Sequence, residues 1–216
     1  MYVWVVLATY LAMIAAYVLP IRSDTEKNVV VPVAQAKLVQ MSAMQKAGAL
    51  HIKRNSWPFV SSELEREVTF NNGVVDVSTY LDENKVVNTG EFVTGIYCLT
   101  DDQTALRTGA DACRKMFEET FLRVLITYGP IPEKWRRYVQ DGADYKAVPS
   151  NDMMNALRMH YTQYDMAGYA IEKSGQYYIV NYEGTEYEVP TVVAGYGLSE
   201  CISNNNGSCL AQMDWK

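Results

Sequence analysis

The alternation of apolar and polar positions changes period several times along the 216 residues. Tyr2 to Ile21 contain no charged side chain. A helix of that length rises about 30 Å, the thickness of a bilayer's hydrocarbon core. The pattern resumes as "VVVPVAQAKLVQMSAMQKAGALHIKRN", which predicts an amphipathic helix over 32–55. Pro32 suits a first helical position, Leu38, Met41, Ala49 and Ile52 approximate a stripe of 3.6 period, and Lys53 and Arg54 complement the dipole in the last turn.

Beyond Trp57-Pro58 the signals alternate. "SSELEREVTFNNGVVDVSTYL" predicts a helical turn and a hairpin around Asn72-Gly73, and "GEFVTGIYCLT" a strand. "DDQTALRTGADACRKMFEETFLRVLITYG" carries a stripe of Leu106, Ala110, Cys113, Phe117, Phe121 and Leu125, which predicts a long helix ended by Gly129-Pro130. "PEKWRRYVQDG" reads as a brief helix. "SNDMMNALRMHYTQYDM" reads as another, opened by Ser150 or Asn151. From Gly168 the period shortens, giving three strands with turns at Ser174-Gly175 and Glu183-Gly184. The expected architecture is α+β: a transmembrane anchor at 2–21, a membrane-proximal amphipathic helix at 32–55, and one domain at 56–216 with a small antiparallel sheet.

The opening segment determines the compartment. A cleavable signal wants a basic start, a shorter apolar run and a small-x-small site soon after. Here no basic residue precedes the run, and Ala34-Gln-Ala36 comes about 15 residues too late for such a site. Tyr2, Trp4 and Tyr17 stand near the ends of the run, as interfacial aromatics do. The segment reads as a retained anchor holding the chain in the lipid bilayer. Arg22, Lys27 and Lys37 after it favour a cytoplasmic C-terminal side by the positive-inside rule. The four cysteines favour the opposite side. Cys98, Cys113, Cys201 and Cys209 show no CxxC or metal-ligand spacing, and Cys201 and Cys209 flank the polar loop "ISNNNGS". Of three possible pairings, Cys201–Cys209 with Cys98–Cys113 is favoured, and disulfides imply an oxidising compartment. The expected location is the inner membrane, single pass, with the domain periplasmic or otherwise extracytoplasmic.

Net charge is −6, which disfavours nucleic acid as a partner. Ten of the 16 tyrosines fall from Tyr138 onward, a composition suited to a Tyr-rich sheet or an interface. Candidate chemistry is thin. His51 and His160 are the only histidines and belong to no cluster with metal-ligand spacing. Ser42 and Lys46 stand four apart on a helix, a spacing that arises by chance in many helices. Gly195-Tyr-Gly197 lacks the third glycine and the strand–helix context of a nucleotide loop. The chain is therefore expected to be non-catalytic and to need no cofactor. Trp135, Arg136 and Arg137 combine the residue types that dominate interface hot spots.

The layout of "MYVWVVLATYLAMIAAYVLP…VAQAKLVQMSAMQKAGALHIKRN", with "IPEKWRRYVQDGADYKAV", resembles the PilM-type inner-membrane proteins of type IVb (thin) pilus systems. That resemblance implies an uncleaved anchor, an Ala-rich helix, a small periplasmic domain and a non-catalytic role in pilus assembly. The chain also resembles type IV pilins and pseudopilins, through Pro20 near the end of the apolar helix, the amphipathic helix after it and a cysteine-closed loop near the C-terminus. It departs from them at Val5, where most pilins carry glutamate, and in lacking a basic leader that ends in glycine. These resemblances imply a structural or assembly subunit. Its interface candidates are Val5, Pro20, Leu38, Met41, Trp135, Arg136 and Arg137, and its partners would be other membrane or pilus-machine proteins or further copies of itself. A filament subunit is the alternative within the class, and a membrane-tethered periplasmic enzyme the alternative outside it.

Overall fold

The computed structural model describes residues 31–54, 77, 81, 91–99, 122–142 and 144–215. The segment expected as an anchor, with Val5 and Pro20, lies outside the described residues, as does the hairpin expected around Asn72-Gly73. Among the described residues, no helix is long and apolar enough to cross a membrane.

The first element among the described residues is a helix, α1 (Val31–Arg54). The strands are β1 (Val93–Leu99), β2 (Leu122–Pro130), β3 (Arg136–Asp141), β4 (Asp144–Pro149), β5 (Ala167–Lys173), β6 (Gln176–Val180), β7 (Glu186–Val189) and β8 (Ser208–Trp215). Three further helices are α2 (Asn151–His160), α3 (Thr191–Ala194) and α4 (Leu198–Asn204). Six strands make one antiparallel sheet in the order β1-β2-β8-β5-β6-β7, and β3 and β4 pair separately as a two-stranded hairpin. The expected α+β class with a small antiparallel sheet is therefore what the chain adopts.

The sheet is buried on both faces at its β1, β2 and β8 strands and more open toward β6 and β7. Leu38, Met41 and Met44 of α1 and Met153 and Leu157 of α2 form one core together with Ile131, Trp135 and Leu210. On the opposite face Val124, Ile126, Ala170, Ile179, Cys209, Ala211 and Met213 pack beneath Val193, Leu198 and Ile202 of α3 and α4. Burial on both sides explains why β2 reads through Val124-Leu-Ile126 as an apolar run rather than an alternation. Gly48 lets α1 lie close on the sheet, because a Cβ there would stand 2.7 Å from Leu125 and 2.8 Å from Thr94.

Two sequence expectations change. The helix predicted to run to Gly129 is β-strand from Leu122 onward. Arg123-Val-Leu-Ile-Thr-Tyr128 is rich in residues that fit a pleated, packed surface, and pairing with β1 and β8 outweighs the helical stripe. The brief helix predicted from Pro132 is a single 3-10 turn, Glu133–Trp135, followed by β3. By contrast, α2 starts as expected, with the Ser150 hydroxyl accepting from the Met153 amide, and β5, β6 and β7 fall where the period shortens.

Candidate functional site

The β3–β4 hairpin stands apart from the main sheet and carries exposed Tyr138, Val139 and Tyr145. A two-residue connection joins Asp141 to Asp144, and Gly142 there has φ +64°, as tight hairpin turns require. Strand alternation divides the side chains between two faces. Tyr138 and Tyr145 lie on one face, with Arg136, Gln140 and the fully buried Ala147. Arg137, Val139, Asp141, Lys146 and Val148 lie on the other, inner one.

The hairpin is anchored at its base. The Arg136 guanidinium donates to the Ile131 carbonyl (2.6 Å) and to Asn205 Oδ1 (2.7 Å), and Arg137 donates to the Pro149 carbonyl (3.2 Å). The Ser150 amide donates to the Trp135 carbonyl (2.7 Å), closing the neck. On the β4 side, the Ala147 amide donates to the Asn206 carbonyl (2.8 Å) and the Ser208 hydroxyl donates to the Ala147 carbonyl.

These contacts depend on the loop between α4 and β8, which a disulfide closes. Cys201 and Cys209 are bonded, with Cα atoms 6.1 Å apart. The Asn205 side chain donates back to the Cys201 carbonyl (2.8 Å), which holds its Oδ1 toward Arg136. Asn206 and Gly207 both take positive φ, +57° and +103°, so the loop turns sharply enough to present the Asn206 carbonyl to β4. Cys98 is also disulfide-bonded; its expected partner, Cys113, lies outside the described residues.

Between the inner face of the hairpin and the sheet runs an open groove of about 850 Å³. Val139, Lys146 and Val148 form one wall, Tyr169 and Ile171 the floor, and Ile202 and Gly207 one end. Two ion pairs lie along it, Lys146 with Asp141 and Lys173 with Glu186, and Glu172 lines it as well. Burial raises the Tyr169 hydroxyl above its ordinary value, partly offset by the nearby positive charges of Arg137 and Lys173. Ser203, at the groove's end, turns its hydroxyl back onto the Ser199 carbonyl (2.9 Å). A lining of valine, isoleucine and tyrosine interspersed with charged side chains suits contact with a polypeptide.

The candidates named from sequence separate into different places. Leu38 and Met41 are fully buried against the chain's own sheet and α2, so the surface they meet is internal. Trp135 is 2% exposed: the 3-10 turn rolls its indole into the core, with the Lys134 ammonium 4.4 Å above the ring. Arg136 and Arg137 stay near the surface as anchors of the hairpin. Ser42 hydrogen-bonds with Tyr161. Burial, followed by the positive charge of Lys46, lowers His160 below its ordinary value, with Asp165 acting the other way. Among the described residues no group of three His, Cys, Asp or Glu gathers to hold a metal ion.

Sequence reasoning missed the hairpin itself. Its signal was present: Asp141-Gly142 is a favoured hairpin pair between two runs that alternate in character. The helical reading of "EKWRRYVQDG" concealed it. Comparison with protein-family models, with curated proteins and with solved structures finds no match to this chain.

Proposed function

We propose that this chain is a non-catalytic, membrane-anchored structural or assembly subunit of a pilus or secretion-type envelope machine, with its α+β domain on the extracytoplasmic side. The observation that carries this reading is the Tyr-bearing β3–β4 hairpin held out from the domain by a disulfide-closed loop. Exposed tyrosines on a rigid, preorganised element give large contact area at small entropic cost. A disulfide supporting that element suits an oxidising compartment, and no described cysteine is free. The uncharged run at 2–21 supplies the anchor, and the resemblance to thin-pilus membrane proteins supplies the machine.

The test is labelling of whole cells with a membrane-impermeant maleimide, before and after an impermeant reductant. The expected result is labelling of Cys201 and Cys209 only after reduction, without lysis. Thiols that label only after lysis, with no reductant needed, would overturn the extracytoplasmic placement. A photo-crosslinking residue at Tyr138 or Tyr145 should then capture a protein partner in the membrane fraction.

A further inference from the structure

We infer that the outer edge of β3 is a self-pairing surface, which joins two copies of this chain into a four-stranded ribbon with the order β4-β3-β3-β4. The inference deepens the reading of the hairpin as an interaction surface and rests on it, adding the identity of the partner and the register.

Among the described residues β3 pairs with β4 alone, and Arg137 through Asp141 are all exposed. In an antiparallel ladder, residues alternate between pairs that exchange both backbone hydrogen bonds and pairs that exchange none. The two-residue connection makes Asp141 and Asp144 the closing hydrogen-bonded pair. Val139 and Arg137 therefore also direct their backbone groups toward β4, and Tyr138 and Gln140 direct theirs outward. A second β3 laid antiparallel on this edge must bond through Tyr138 and Gln140.

Two registers near the centre of the strand satisfy that requirement. Tyr138 opposite Tyr138 would set Arg137 against Val139 and leave the charges unmatched. Tyr138 opposite Gln140 places Val139 against Val139 on the two-fold axis, and Arg137 against Asp141 on both sides of it. All three of these contacts fall at non-hydrogen-bonded positions, where facing side chains come closest. Charges on an exposed edge usually deter pairing. Here their signs are opposite and lie symmetrically two residues either side of Val139, so they attract in the two-fold register and lose that attraction in a shifted one. The interface is isologous, as closed dimers require. It is also small, so pairing depends on the effective concentration that a shared membrane provides.

The experiment uses the full chain in membranes. Val139→Cys should give a disulfide-linked dimer on mild oxidation, whereas Glu183→Cys, in an exposed turn remote from the hairpin, should not. Adding Arg137→Asp should reduce the cross-linked fraction about tenfold, and adding Asp141→Arg to that variant should restore it. Absence of the Val139→Cys dimer, or a dimer indifferent to the charge reversals, overturns the inference. A photo-crosslinker at position 139 separates the two claims. Capture of a different protein removes self-pairing but leaves the hairpin an interaction surface; capture of nothing removes both.

Discussion

Gln45 and Thr127 lie 82 positions apart, yet the threonine hydroxyl donates to Gln45 Oε1 at 2.6 Å beneath α1. Gln45 is 2% exposed, and its Nε2 donates to the Leu125 carbonyl and to Asp214 Oδ2, each at 3.1 Å. Thr94 and Thr127 share a further hydroxyl bond at 3.0 Å. One side chain thus fixes the helix on β2 and β8, and Thr94 of β1 joins it through Thr127, at the point where Gly48 lets the helix approach. Buried polar groups that are fully satisfied specify a unique packing, and removing one member leaves the others costly. Gln45→Leu should destabilise the domain by about 2–3 kcal/mol. Thr127→Val should cost about 1 kcal/mol. Urea denaturation of both variants, with unchanged m-value, is the measurement.

The Cys201–Cys209 bond closes a loop of sequence separation 8. Chain-entropy arguments give a closure of that size about 2–3 kcal/mol of stability. Replacing both cysteines with serine should lower stability by that amount. It should also accelerate exchange of the Ala147 amide, whose acceptor is the Asn206 carbonyl inside the loop. Amides in β6, away from the loop, should change only with global stability. Equal acceleration in β4 and β6 would show that the loop does not locally support the hairpin.

Tyr97 and Tyr161 report on alkaline stability. Burial first, and neighbouring Tyr128 and Tyr196 second, hold the Tyr97 hydroxyl well above its ordinary value of 10.0. Burial first, then Asp165 and Asp214, raises Tyr161, with the Ser42 hydrogen bond acting weakly the other way. In each case the unfolded chain releases its proton at lower pH than the folded chain. Their contribution is therefore complete below pH 10 and declines as pH rises from there toward the folded values. Tyr97→Phe, which gives up a 3.4 Å bond to the Tyr196 carbonyl, should flatten this alkaline decline while changing neutral stability little. Thermal melts from pH 8 upward measure it.

Gly197 opens α4 with φ +115°, and a Cβ there would stand 2.2 Å from the Tyr128 hydroxyl oxygen. Gly197→Ala combines left-handed strain with displacement of a phenol that bonds the Tyr196 carbonyl at 3.3 Å. The expected cost is about 1–3 kcal/mol, read as a fall in Tm. Gly195, with room around its Cβ and an ordinary helical backbone, should accept alanine without such a loss. The second glycine of "GYG" serves the turn into α4.

The elements legible in advance were those whose local signals agree with their neighbours. Ser150 caps α2, Ser174-Gly175 and Glu183-Gly184 turn the β5–β7 meander, and the stripe through Leu38 and Met41 gives α1 its buried face. Of the candidate site, the sequence marked Arg136, Arg137 and the cysteine-closed loop, but not the hairpin they hold.

What the sequence determined by itself was the α+β class, the helical α1 and the meander, because caps and turn pairs are local in the chain; it favoured Cys201 with Cys209 among three pairings, and the structure shows that bond. Only the tertiary structure decided that Leu122 to Pro130 is a strand, that Ser208 to Trp215 runs through the middle of the sheet between β2 and β5, and that Trp135 turns inward while Tyr138 turns out. A strand buried on both faces has no period to read, and its identity comes from partners remote in sequence. The hairpin's exposure is likewise a property of what packs around it, since its own residues alternate in the same way whether a sheet covers them or not.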